Sequence, residues 1–437
     1  MRKLLLACAL AACACAACAE AVIVQDGRGV FGRPSNYGAS KISPCALEKP
    51  LTFEDGRKVK TAAIQARIDE VAAKGGGRVT ISKGIHPCRT LYMKSGVELH
   101  LEKGAVLMGG TKPEDYDDAI PENMVYTYKT ATQATSTRKV FIFAENATNI
   151  AITGEGTIDV NGPAFFDQNT VLWGKFWAKP SVPRPRIVVL RSCRNIRFEG
   201  VTFKDNPTWA MWLRFCEDIE VSAIRIEAEQ KMINSDGIDF DGCRRVRVRD
   251  SFFKTGDDCI VLRAIRGTAD VNGPVVTEDV VVENCSFDTP CQGVRIGCPS
   301  DDTIRNAVFR NIKFKGKNAI GSEQPTYYLT EGDNGYLTTD DILFENWTIS
   351  GQCPLELFVD DGIVLRDFGY MTFRNFTVDT DKPFMVRGNA MSPVRGMRFE
   401  NITGKIKADK AFDIAHAPGI IFDKTNIEGN IGGKTRE

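Results

Sequence analysis

Two short segments carry acidic residues at a spacing that could do chemistry: Asn234-Ser235-Asp236-Gly237-Ile238-Asp239 and Gly256-Asp257-Asp258-Cys259-Ile260. They hold equivalent places in successive units of a repeat. That register puts Asp236 in line with Asp258, 22 residues on, with Asp257 beside it. One turn of a coiled chain would then gather three carboxyl groups on one exposed face, in a groove bordered by inserted loops. Like charges that close resist joint ionisation, so at least one should have a raised pKa. A protonated acid and an ionised base then coexist near neutral pH, and glycosidic cleavage needs that pair. Hydrolysis with inversion needs room for a water, about 6.5–9.5 Å between acid and base, a span open to diagonal neighbours on adjacent rungs. Two plainer readings compete. Asp-Gly and Asp-Asp pairs are common in turns, and three carboxylates could hold a calcium ion. A single aspartate would favour the turn reading; three converging through a repeat favour function.

The repeat that positions them organises most of the chain. A pattern of apolar–x–apolar–x–(Asn/Asp/Gly)–apolar–x–apolar starts at Ile196, Ile219, Val246, Val280, Ala307, Ile342 and Met371, and returns at Ile420. The starts from 196 to 371 are 23, 27, 34, 27, 35 and 29 residues apart. A minimum of 23 with variable additions fits a solenoid with loops inserted on one side. Each unit alternates with the period of a strand, not a helix. Such a unit cannot bury its apolar face alone, and stacking completes both ladder and core. An antiparallel sandwich would need hairpin signals every 8–12 residues, and few are present. Asn284, Asn311, Asn346, Asn375 and Asn401 share one slot and should form a ladder of turn residues. Cys193, Cys216 and Cys243 open successive units and should stack inside as small apolar side chains.

Ahead of the coil, Ile64, Ile68 and Val71 mark an amphipathic helix over 62–73, closed by Gly75-Gly76-Gly77. It would cover the open end of the core, otherwise an exposed sheet edge. Residues 111–190 are the least repetitive and read as an elaborated loop region, not a separate domain.

Lys+Arg and Asp+Glu are both 56, so no global field argues for nucleic acid or an anionic membrane as partner. Arg2 and Lys3 precede an apolar run from Leu4 to Cys18, and Ala17-Cys18-Ala19 fits a small-x-small cleavage site. Residues 1–19 are therefore expected to be a signal peptide, with 20–437 one exported domain, secreted or periplasmic. Leu10-Ala11-Ala12-Cys13 also fits a lipid-anchoring signal at Cys13, which would make an outer-membrane lipoprotein. The apolar run is too short to span a bilayer, which takes about 20 residues. Of 14 cysteines, four lie in the export segment, and the others enter a compartment where disulfides are permitted.

Residues 184–264 resemble the polygalacturonase family, glycoside hydrolase family 28, in the pectin lyase-like superfamily. Arg184-Pro185-Arg186 resembles its arginine-proline opening, and Asn206-Pro207-Thr208-Trp209 its Ser-Pro-x-Trp rung. Asn234-Ser235-Asp236 resembles Asn-Thr-Asp, and Gly256-Asp257-Asp258 the Gly/Gln-Asp-Asp motif. The resemblance implies an all-β, right-handed parallel β-helix and inverting hydrolysis of a pectin-like polysaccharide by a monomer without metal or cofactor. It implies Asp257 as general acid, with Asp236 and Asp258 activating water. Asn234, Gln292, Arg263 and Arg295 are the candidate substrate-binding residues.

Two family motifs depart. Gln292, in Cys291-Gln292-Gly293, stands where the family has histidine. Gly321-Ser322-Glu323 stands where it has the Arg-x-Lys pair that grips a substrate carboxylate, and Glu323 there would repel a uronate. Arg263 and Arg295 could supply cations from other positions, or be solvated rung residues. The departures shift expectation from plain polygalacturonate toward a backbone with neutral sugars, such as rhamnogalacturonan, or an exo activity. A non-catalytic glycan-binding or surface β-helix is the first rival, and a polysaccharide lyase the second.

Overall fold

The computed structural model describes residues 22–25, 57–124, 137–172, 174–178, 182–266, 273–297, 300, 302–326 and 337–428. The expected signal peptide and Cys13 lie outside these residues. So do two cysteines, Cys45 and Cys298; the eight that are described are unpaired thiols.

The chain winds as a right-handed parallel β-helix. The repeat register is the ladder register: Ile196, Ile219, Val246, Val280, Ala307, Ile342 and Met371 are successive parallel partners. Apolar positions of each unit point inward because side chains alternate across a strand. Phe309, Phe344, Phe373, Phe399 and Phe422 stack with centroids 5.0–5.5 Å apart, close to the strand spacing.

Helix α1, Thr61–Ala73, buries Ile64, Ile68 and Val71 against the first coil, as their spacing requires. At its end Gly76 (φ +114°) passes Gly96 so closely that a Cβ would sit 2.7 Å from the Gly96 carbonyl oxygen. The asparagine slot forms a chain of side-chain hydrogen bonds, each amide donating to the residue one coil earlier at 2.9–3.0 Å. All five residues have φ between +53° and +57°, a left-handed turn that asparagine tolerates better than most residues. Cys193, Cys216 and Cys243 are fully buried, each thiol donating to a backbone carbonyl one coil back.

The loop reading of 111–190 is too broad. Val140–Glu145, Thr148–Gly154 and Thr157–Asp159 form a full coil within it, paired to the next coil. The irregular parts are the 3-10 turns after Thr111 and the hairpin Asp167–Leu172/Phe176–Ala178. A second apolar cluster lies apart from the main core, with Ile120, Met124, Phe143, Val189, Trp209, Trp212 and Ile265 in it.

Candidate active site

One stack of strands comprises β1 (Arg186–Arg191), β2 (Met211–Arg214), β3 (Ile238–Asp241), β4 (Ile260–Arg263) and β5 (Ser286–Ile296), and the aspartates lie just before two of them, β3 and β4. Ile238 of β3 pairs with Ile260 of β4, so Asp236 and Asp258, each two residues upstream, occupy the same station of adjacent coils. Ser235 ties their turns together: its hydroxyl donates to the Met232 carbonyl at 2.6 Å and accepts from the Gly256 N–H at 3.0 Å. Only glycine fits at 256, where a Cβ would lie 2.3 Å from that same carbonyl oxygen.

The expected exposed face holds for one aspartate of the three. Asp236 and Asp258 are each 2% exposed, whereas Asp257 is partly exposed. Asp236 has the turn Asn206–Trp209 beside it, at the same station one coil earlier. Asn206 Nδ2 and the Ala210 N–H both donate to the Asp236 carbonyl, while Asp258 lies beneath Arg295. Asp257 is held at both ends. Its Oδ2 accepts from the Asn234 N–H at 2.9 Å, and its carbonyl accepts from the hydroxyls of Thr255 and Thr289.

Burial, reinforced by the charges of Asp257, Asp239 and Asp258, holds the Asp236 carboxyl well above its usual range. Burial likewise pushes Asp258 up to about 7, against the pull of Arg295 and with the push of Asp257. Asp258 Oδ2 lies 2.6 Å from Arg295 Nε. Asp236 Oδ1 and Asp258 Oδ1 are buried with no protein partner among the described residues, so each can accept from a water or a sugar hydroxyl.

The candidate binding residues divide. Asn234 (φ +64°) lends its N–H to Asp257, and its side-chain oxygen accepts from the fully buried Arg184 at 3.1 Å. It orients the Asp257 carboxyl. Arg263 is neither solvated nor turned to the groove: it is 4% exposed, bonds Asp239 at 2.7 Å and lies 4.6 Å from the Trp209 ring. Burial pushes Asp239 up to about 6 despite that partner. Gln292 reaches the cluster but is 1% exposed, and its amide donates to Glu323 at 2.7 Å. Arg295 is also buried, between Asp258 and Glu323. Glu323 therefore faces a guanidinium and an amide, not an approaching uronate.

Sequence reasoning missed three participants. Arg184 donates to the carbonyls of Pro207 and Ile233 as well as to Asn234, fixing the turn that holds Asp257. Its place in the arginine-proline motif was the available signal. Cys291 lies with Asp257 and Asp258 so that one atom of each falls within 4.8 Å of the others. The Glu323–Arg295 pair had no local signal. Among the described residues, Asp257, Asp258 and Cys291 are the group that could hold a metal ion. They suit calcium poorly, since it takes 6–8 oxygen ligands, one member is a thiol, and Arg295 already serves Asp258.

A family model described as Glycosyl hydrolases family 28 matches residues 120–352, a span that contains every residue above. A probable polygalacturonase of Vitis vinifera is 25% identical over 246 residues, covering 55% of this chain and 48% of that protein. The chain spans less than two thirds of the length of the plant polygalacturonases it matches. An exopolygalacturonase structure from Thermotoga maritima has a TM-score of 0.65 at 18% identity, covering 87% of this chain and 93% of that one. PfbA, a surface adhesin of Streptococcus pneumoniae, shares the fold at TM-score 0.59 and 13% identity, covering 85% and 87%. With a family match across more than half its length, this chain belongs to the glycosyl hydrolases of family 28.

Proposed function

We propose that the protein hydrolyses glycosidic bonds of a pectin-like polysaccharide, of galacturonan or rhamnogalacturonan type, with inversion at the anomeric carbon. Asp257 protonates the leaving oxygen; Asp236 and Asp258 position and deprotonate the attacking water. The carrying observation is the contrast within the cluster. Asp257 reaches the surface, while Asp236 and Asp258 lie buried behind it, each with one oxygen lacking a protein partner. Water activation needs an ionised base, and burial pushes Asp258 up to about 7, so activity is expected to rise with pH through that region.

The missing Arg-x-Lys cations favour a neutral sugar beside the cleaved bond. The adhesin-like alternative draws on the departures at Gln292 and Glu323, and a shared fold does not decide it. Against it stands the cost of burying Asp236 and Asp258 together, which a binding surface has no need to bear. A lyase would need an uncharged base at the cluster, and Arg295 is held charged by Asp258. The export segment is proposed to carry the protein out of the cytoplasm, free or tethered at Cys13. Among the described residues, no helix is long and apolar enough to cross a membrane.

The deciding experiment incubates the purified chain with polygalacturonate, rhamnogalacturonan and neutral glycans. New reducing ends without ultraviolet-absorbing unsaturated product are expected. Unsaturated product would establish the lyase, and no product from any glycan would establish the non-catalytic reading.

A further inference from the structure

Strand β6 (Thr303–Gln324) stacks on β5, and β7 (Thr338–Val359) stacks on β6. Arg295 of β5, Gly321 of β6 and Glu356 of β7 are successive partners, and Glu323 lies two residues beyond Gly321. Among the described residues, four groups face the Glu323 carboxyl. Gln292 donates to Oε1 at 2.7 Å, and Arg295 Nη2 lies 3.6 Å from Oε2. Glu356 approaches from the next coil, and Lys317 from the same strand. Burial and Glu356 raise the Glu323 pKa, against Arg295 and Lys317.

The same guanidinium serves Asp258 through Nε, and the charged neighbours of Asp258 among the described residues include Asp257, Arg263 and Asp236, with the Cys291 thiol alongside. One cation thus bridges two carboxyls on different coils. The fit around it is interlocked. Gln292 Oε1 lies where a side chain at 321 would begin, 1.7 Å from an added Cβ, so Gln292 can take this pose only over a glycine. The departures at positions 292, 321 and 323 therefore form one unit: the amide fills the space above Gly321 and is tied down by Glu323.

We propose that Glu323 is a positioning residue: it fixes Gln292 and shares Arg295 with Asp258, and through that shared guanidinium sets the charge of Asp258. The catalytic meaning of this rests on the reading of Asp258 as a water-activating group; the coupling itself does not. An ionised Glu323 draws Arg295 away from Asp258 and leaves that carboxyl easier to protonate. A neutral group at 323 leaves the guanidinium undivided and favours the Asp258 anion.

The test reads Asp258 directly and needs no substrate. The full chain is labelled with [13Cγ]aspartate, the Asp258 signal is identified by its loss in Asp258→Asn, and its midpoint is titrated. Glu323→Gln keeps the shape and an oxygen for the Gln292 amide, and should lower the midpoint by about one pH unit. Arg295→Met should raise it. In the Arg295→Met background, Glu323→Gln should shift it less, since only direct repulsion between the two carboxyls is left. An unmoved midpoint in Glu323→Gln, or an equal shift with and without Arg295, overturns the proposal. If Glu323→Gln does not fold, Glu323→Asp takes its place: a shorter carboxylate reaches Arg295 less well, so a smaller fall is expected and no fall overturns. If the wild type hydrolyses a glycan, the acidic limb of its kcat/KM profile should follow the same shifts. If it hydrolyses none, the proposed function fails while the titration still stands.

Discussion

The coils from 303 to 406 and the coils that carry the aspartates are built from one repeat, yet they treat charged groups differently. In the later coils the buried polar side chains, Asn318, Ser322 and Gln324 among them, are uncharged, an asparagine ladder runs outside, and phenylalanines stack in the interior. In the site coils, Asp236, Asp239, Asp258, Gln292, Arg184 and Arg263 are all buried. Oxygens of Asp236, Asp239, Asp258 and Gln292 lack a protein partner there among the described residues. Buried polar groups without partners are costly. The regular coils supply the stability that lets the site coils hold an unfavourable arrangement, a division expected where function breaks local rules.

The largest effect should come at the site. Asp257→Asn keeps the shape and can still accept from the Asn234 N–H, but it cannot protonate a leaving oxygen. Turnover on the true substrate should fall about 10²–10⁴-fold, with an unchanged circular dichroism spectrum. Near-full activity would remove Asp257 from its assigned role. In the regular coils, Phe344→Ala should leave the site chemistry alone and cost about 3–5 kcal/mol of stability. It opens a gap between Phe309 and Phe373, 5.0 Å and 5.2 Å away in the stack. Denaturant unfolding would read this, and a loss below 1 kcal/mol would mean that the stack carries little of the core.

The same contrast explains what could be read in advance. The strand register, the asparagine ladder and the capping helix are periodic, and periodicity is a local property of the chain: Ile196 and Ile219 announce their pairing by pattern alone. The alignment of Asp236 with Asp258 followed from that register. Burial did not follow, because it depends on groups from other coils: the turn at 206–209 beside Asp236, and Arg295, 37 residues beyond Asp258. Arg263 read as a groove cation because nothing in its own strand shows that Asp239, one coil earlier, claims it. Glu323 read as a repelling acid for the same reason: its partner lies on another coil.

A third prediction separates stability from function at the site. The Asp236 pKa is raised on folding, so the native state binds that proton more tightly than the unfolded chain does. The stability from this group is fully present below the unfolded value of about 3.9 and is lost as pH rises through the folded value. Asp236→Asn removes a buried carboxyl whose ionisation the folded state resists. Its Tm should match wild type near the acidic end and exceed it at pH 8 by about 1–4 °C, the range for about 0.5–2 kcal/mol, while activity is lost. Thermal melts across pH check this, and a uniform loss of Tm would show that Asp236 supports the fold as an anion.

The smallest effect belongs to the ladder, and it can be split into parts. Asn346 is exposed, donates to Asn311 at 2.9 Å, accepts from Asn375 at 2.9 Å and holds φ at +57°. Asn346→Ala removes both hydrogen bonds and places a Cβ in a left-handed turn, where an ordinary L-residue is strained by about 1–2 kcal/mol. Asn346→Gly removes the same hydrogen bonds without that strain, since glycine enters this region freely. If the slot is filled by asparagine chiefly for its backbone, the alanine variant should be less stable than the glycine variant by about 1 kcal/mol. Glycine itself should then lie within about 1 kcal/mol of wild type, because exposed amides regain water. If instead the ladder bonds carry the stability, the two variants should lose equally. Urea unfolding of both distinguishes these outcomes, and equal losses would make the ladder, not the turn, the reason for asparagine.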